Sequence, residues 1–286
     1  MIRQEAIQFD SHGVSIRGRL FSPQQSQACP AVIICHGAFE YKEHFYELAE
    51  ALVQQELIAL VIDMHGHGES GGKRFHVKMN DWAEDVRCAL KYLQQRTDVV
   101  QKSIGAFGFS SGGTAVLEAA SAGVELKAVV TLDATVRSVL KWYEVPLIQG
   151  ASLLGRIKKR LGYEDFQLPL LWALDSVRTA EDDAVTQTVR EDPYLREAYS
   201  KLPLPGALEC FVVDTVKRVA KITCPVCVIH GAMDQIDPPA TAEVLFNHLT
   251  ADKALHILPG SGHLGHMDRQ KDEVIRLTCQ WFKKRL

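Results

Sequence analysis

Residues 104–113 read I-G-A-F-G-F-S-S-G-G, an apolar run that stops at a serine flanked by small residues, with a helical pattern starting at once. A sharp strand-to-helix turn of this kind lifts one side chain into an exposed position. It strains the backbone there and crowds the residues two before and two after, so Gly108 and Gly112 are the residue types the turn needs. Centring the turn on Ser111 would put Phe109 where a small residue is required, which makes Ser110 the expected nucleophile. A serine hydroxyl is a weak nucleophile at neutral pH and needs a base within hydrogen-bond reach and a third group to orient that base. Asp234, in H-G-A-M-D-Q-I-D-P, and His263, in P-G-S-G-H-L-G-H, are the candidates. Asp237 and His266 stand close to them as rivals, although Asp237 precedes Pro238 and reads as a turn and helix-start residue.

The elements that would position these side chains follow from the hydrophobic pattern. Two-residue alternation over 5–10 and 14–21, with Ser-His-Gly between, predicts an antiparallel hairpin with one solvated face. Continuous apolar runs at 31–35, 58–63, 128–133 and 226–230, with 254–258 after them, predict buried strands. Helical spacing begins near Tyr46, Trp82 and Ser111, recurs over 241–249, and closes the chain over about 271–284. Strand, loop and helix alternate, which points to a mostly parallel sheet flanked by helices, and such sheets bind ligands beyond the carboxyl ends of their strands. Ser110, Asp234 and His263 all fall at such ends.

The alternation breaks over 134–220, where no buried strand run is visible and prolines and bulky aromatics accumulate: Trp142, Tyr143, Tyr163, Phe166, Trp172, Tyr194 and Tyr199. This stretch is expected to be a helical insertion over the site, most of its aromatics filling a small core of its own. The expected organisation is a core of 1–133 and 221–286 interrupted by that insertion.

With 47% hydrophobic and 23% charged residues and a net charge of −3 spread along 286 residues, the chain reads as an ordinary globular protein with no basic stripe for nucleic acid. Neither a signal-peptide pattern nor an apolar run near the ~20 residues needed to span a bilayer is present, so a cytoplasmic location is expected. Seven scattered cysteines, several within apolar runs, suit reduced core thiols. Cys224 and Cys227 form a lone C-x-x-C with Pro225 inside it and no second pair, a weak signal for zinc or redox chemistry. His65 and His67 suggest a metal, yet no further ligand set assembles around them. His36 reads as a structural loop histidine. No cofactor is expected, since no G-x-G-x-x-G follows the first parallel strand.

Five motifs taken together, H-G-A (36–38), D-M-H-G-H-G-E-S (63–70), G-F-S-S-G-G (108–113), H-G-A-M-D-Q-I-D-P (230–238) and P-G-S-G-H-L-G-H (259–266), make the chain resemble the α/β-hydrolase family. The likeness is strongest to its lysophospholipase, monoacylglycerol lipase and serine aminopeptidase-like branch, which carries a helical cap. The order Ser, Asp, His is that of this family and differs from the chymotrypsin and subtilisin orders. The resemblance implies Ser110 as nucleophile, Asp234 as orienting acid, His263 as base in preference to His266, and an oxyanion hole at the backbone N–H groups of Ala38 and Ser111. It implies cleavage of small-molecule carboxylic esters with an apolar acyl or aromatic group. Thioester or amide cleavage and acyl transfer use the same groups, and a hydrolase fold kept only for ligand binding is the reading from another class. Phe39 departs from the family, where many members have a small residue after H-G-A, and implies a narrower or more apolar pocket.

Overall fold

The computed structural model describes residues 2–24, 27–138, 140 and 143–286, so Trp142 lies outside the described residues. Its centre is an eight-stranded sheet built from β1 (Ile2–Ser11), β2 (Val14–Pro23), β3 (Cys29–Cys35), β4 (Ile58–Ile62), β5 (Val99–Phe109), β6 (Val129–Leu132), β9 (Val226–Gly231) and β10 (Lys253–Leu258). Their spatial order is β1-β2-β4-β3-β5-β6-β9-β10. The hairpin β1–β2 is antiparallel and joins β4 antiparallel, whereas every pair from β4 to β10 is parallel. This is the mostly parallel, helix-flanked sheet that the apolar runs predict.

Strand alternation sorts the core into two layers. On β3, Ala31, Ile33 and Cys35 face the layer that contains Trp82 and Val86 of α2 (Met79–Gln94) and Val116 of α3 (Ser111–Ser121). Val32 and Ile34 face the opposite layer, with Leu52 of α1 (Tyr46–Gln54) and Phe282 of the closing helix Lys271–Arg285. A strand covered on both faces has no solvated side to make polar, which is why β4 reads I-A-L-V-I with all five residues buried. Truncating one of these aliphatic side chains to alanine would cost about 2–5 kcal/mol.

Between β6 and β9 the chain leaves the sheet. It forms α4 (Glu144–Arg160), α5 (Leu171–Ser176), α6 (Asp183–Glu191) and α7 (Pro193–Ser200), and with them two short strands, β7 (Phe166–Leu168) and β8 (Leu202–Leu204), paired antiparallel. These strands correct the expectation of no strand here. Three residues are too few to show a period, and Pro203 within β8 disguises it further. The aromatics also depart from expectation: Tyr143, Tyr163 and Trp172 are exposed rather than filling a local core. Helix α4 buries Ile148, Ser152 and Gly155 on one side and exposes Leu147, Leu154 and Ile157 on the other, so it is apolar on two faces. No helix among the described residues is long and apolar enough to cross a membrane.

Candidate active site

The turn after β5 has the backbone its glycines anticipate. Ser110 sits at φ 48°, ψ −121°, in a region that L-residues avoid, and α3 begins at the next residue. A Cβ on Gly108 would meet the Gly112 carbonyl oxygen at 2.4 Å, which is the crowding the sequence predicts. A Cβ on Gly112 would meet a different wall, the backbone oxygen of His36 at 2.3 Å. The second glycine therefore lets α3 approach the loop after β3, bringing Ser110 and Ala38 to one cavity.

Three side chains from separate strand ends meet at that cavity. His263 Nε2 lies 3.1 Å from Ser110 Oγ, and His263 Nδ1 lies 2.8 Å from Asp234 Oδ2. With Nδ1–H donated to the carboxylate, Nε2 is left to accept from the serine hydroxyl, the arrangement that activates a serine. Asp234 is anchored in turn, since its Oδ1 accepts the amides of Ile236 and Asp237 at 2.8 and 2.9 Å. The rivals are engaged elsewhere. Asp237 accepts the Thr135 hydroxyl at 2.6 Å, and His266 stacks on Phe45 with its Nε2 3.2 Å from Glu40 Oε1.

The electrostatics follow from burial and from these partners. Burial pulls His263 down, but the Asp234 carboxylate, helped by Asp237 and Asp133, outweighs it and holds the imidazole above an ordinary histidine. Asp234 is penalised by burial yet held well below the usual carboxylate range by His263 and His230. Asp237 is pushed up to about 6, chiefly by burial. Asp133 is pushed up to about 7, again chiefly by burial, although its oxygens accept the amides of Gly231 and Gly265.

The two residues expected to supply backbone donors stand at the cavity wall. Ala38 and Ser111 both line it, and among the described residues neither amide donates to an acceptor within the protein. Ser111 opens α3, whose N-terminal amides favour negative charge. A backbone donor aimed at an alkoxide-like oxygen is worth roughly 2.7–4 kcal/mol of barrier.

Several supporting residues escape sequence reading. Glu40, buried below the loop after β3, accepts the Gly37 amide at 3.2 Å and faces His44 at 3.3 Å, and the flanking histidines hold its carboxyl well below the usual range despite burial. Lys42 is buried and donates to Asp63 Oδ2 and Glu69 Oε2, both at 2.8 Å, while its own amide donates to Asp63 Oδ1. His36 accepts the Met64 amide at 2.9 Å through Nε2, which leaves Nδ1–H to donate to the Gly37 carbonyl. Together these bonds lock the loops after β3 and β4. Asp268 accepts the amides of Gly262, Glu181 and Asp182, tying the His263 loop to the segment between β6 and β9. Their signal in the sequence is only adjacency to the motifs; His230 is part of H-G-A-M-D, and Asp133 ends an apolar run. Two groups, Glu40–His44–His266 and Asp133–His230–Asp234, bring metal-capable atoms within 4.8 Å of one another, and most of these atoms are already engaged as described. Among the described residues no cysteine forms a disulfide, and burial pushes Cys224 and Cys227 up to about 11 and about 12.

Comparison with known proteins agrees with this architecture. The monoacylglycerol lipase of Mycolicibacterium smegmatis is 23% identical over 259 residues, covering 89% of this chain and 88% of the lipase. A thiohydrolase of Eupenicillium brefeldianum is 25% identical over 283 residues, covering 95% and 91%. The crystal structure of the α/β hydrolase GrgF from Penicillium sp. superposes with a TM-score of 0.81 at 21% identity, covering 99% of each chain. The serine aminopeptidase (S33) hydrolase family matches residues 26–270, and the chain, with its mostly parallel sheet and α/β-hydrolase fold, belongs to that family.

Proposed function

We propose that this protein is a serine hydrolase that cleaves carboxylic esters through an acyl-enzyme, with Ser110 as nucleophile, His263 as general base and acid, and Asp234 as the acid that orients it. The observation that carries the reading is the continuous hydrogen-bonded line from Ser110 Oγ through His263 to Asp234 beside a cavity. In this reading Ser110 attacks the ester carbonyl while His263 takes its proton. The amides of Ala38 and Ser111 receive the negative oxygen of the tetrahedral intermediate. His263 then returns the proton to the leaving alcohol, and water, deprotonated by the same imidazole, releases the acid. Residues 134–220 act as a cap, since Leu174, Leu195, Tyr199 and Phe211 of that stretch form much of the cavity wall. A thioester substrate is the second reading, favoured by the thiohydrolase relative.

A fluorophosphonate probe tests the mechanism. Labelling is expected at Ser110 and should vanish in Ser110→Ala; absence of labelling, or labelling that persists in that variant, would sink the proposal. Parallel assays with p-nitrophenyl esters and acyl thioesters decide between the two substrate classes.

A further inference from the structure

We propose that Phe39 sets the acyl specificity of this site, closing the pocket so that it accepts short, uncharged acyl groups. The inference deepens the serine hydrolase reading and rests on it.

Phe39 follows Ala38, and its φ of 64° lies in the left-handed region that favours glycine. A bulky aromatic there is strained, so something must hold it. The ring is 3% exposed and meets Tyr199 of α7 edge to face at 5.4 Å and Phe75 at 6.4 Å. Through Tyr199 the loop that carries the Ala38 amide is bridged to the segment between β6 and β9, and both rings line the cavity beside Ser110. A glycine at this position would leave that bridge unmade and the wall open.

The cavity this ring helps close holds about 110 Å³. An apolar protein cavity of about 150 Å³ is filled by benzene, so the space here suits an acyl chain of about four or five carbons. Its charge is equally restrictive. Among the described residues Glu40 and Asp237 line it and no Lys or Arg does, and burial keeps the Tyr199 phenol neutral by pushing it up to about 12. A carboxylate at the far end of an acyl chain would meet Glu40 and Asp237 and, among the described residues of the wall, no Lys or Arg.

The test is kcat/KM for p-nitrophenyl acetate, butyrate, octanoate, laurate and monoadipate with the full chain and with Phe39→Gly. The native protein should be most active on butyrate, fall at least about tenfold at octanoate, and disfavour the anionic adipate relative to its neutral methyl ester. Phe39→Gly should raise the octanoate-to-butyrate ratio about tenfold or more. Should that variant fail to fold, Tyr199→Ala, which removes the ring's partner on the other side of the pocket, should raise the same ratio. A native preference for octanoate or longer, or a ratio unmoved by the folded variant, overturns the assignment while leaving the hydrolase reading intact. Fluorophosphonate labelling of Ser110 without hydrolysis of butyrate overturns it as well. Silence toward every ester, together with no labelling, overturns the hydrolase reading and this inference with it.

Discussion

His230 Nε2 lies 3.3 Å from Oδ2 of Asp234, the same oxygen that His263 Nδ1 approaches at 2.8 Å. One buried carboxylate oxygen thus faces two imidazoles. Burial pulls His230 down, but Asp234 and Asp133 outweigh it and raise it to about 9, which favours its charged form. That charge stands among three buried acids, Asp133, Asp234 and Asp237.

Replacing His230 by Leu leaves those acids one cation short. Breaking a buried charge pair in this way costs about 3–5 kcal/mol. Urea unfolding at neutral pH should show a lowered midpoint with an unchanged slope, and a midpoint equal to that of the native protein would contradict the arrangement.

Asp234→Asn should lower kcat by about 10⁴, because the amide favours the wrong histidine tautomer. Asp237→Asn should lower it less than about tenfold, since Asp237 serves Thr135 and lies outside the hydrogen-bonded line. Steady-state kinetics on p-nitrophenyl butyrate separate the two, and the reverse ranking would move the acid role to Asp237.

The pH dependence has a defined sign. A general base works in its neutral form, and His263 is held above the usual 6.5 once the Asp234 carboxylate has outweighed burial. The acidic limb of kcat/KM, followed from about pH 5 to about pH 9, should therefore lie above 6.5 and move to lower pH in Asp234→Asn. Stability runs the other way. The charged His263–Asp234 pair contributes fully below the ordinary histidine value and is lost as pH rises through the raised one. On the acid side, the contribution of the depressed Asp234 is lost as pH falls through its folded value.

Lys42→Met should destabilise the fold by about 3–5 kcal/mol, because it strands the buried Asp63 carboxylate without its ammonium partner. Its loss should also slow turnover through the loop that carries Ala38. Denaturant titration and kcat measured on the same preparation test both effects.

The sheet and the turn at Ser110 are legible in the sequence because each rests on a short-range signal, whereas the preference for Asp234 and His263 over Asp237 and His266 rests on the family motifs around them. A strand buried on both faces leaves an apolar run, and a sharp turn leaves glycines. The supporting contacts leave no such mark. Lys42 in E-Y-K-E looks like any surface lysine, since lysines are rarely buried, and only the fold shows Asp63 and Glu69 converging on it. Glu40 and Asp268 are opaque for the same reason, since His266 reaches Glu40, and the amides of Glu181 and Asp182 reach Asp268, from distant parts of the chain. The exposed Tyr143, Tyr163 and Trp172 escape from the opposite side: aromatic content alone does not tell which way a ring points.

The left-handed φ of 48° at Ser110 has a consequence for how this protein would evolve or be engineered. Such a residue stores of order 1–3 kcal/mol, of which a glycine would return part after its own entropy cost of roughly 0.5–1 kcal/mol. Ser110→Gly should therefore melt above the native protein in a thermal scan while showing no ester hydrolysis. A library of variants ranked by heat resistance alone would then favour inert sequences at this position, and only a screen that reads turnover would keep the serine.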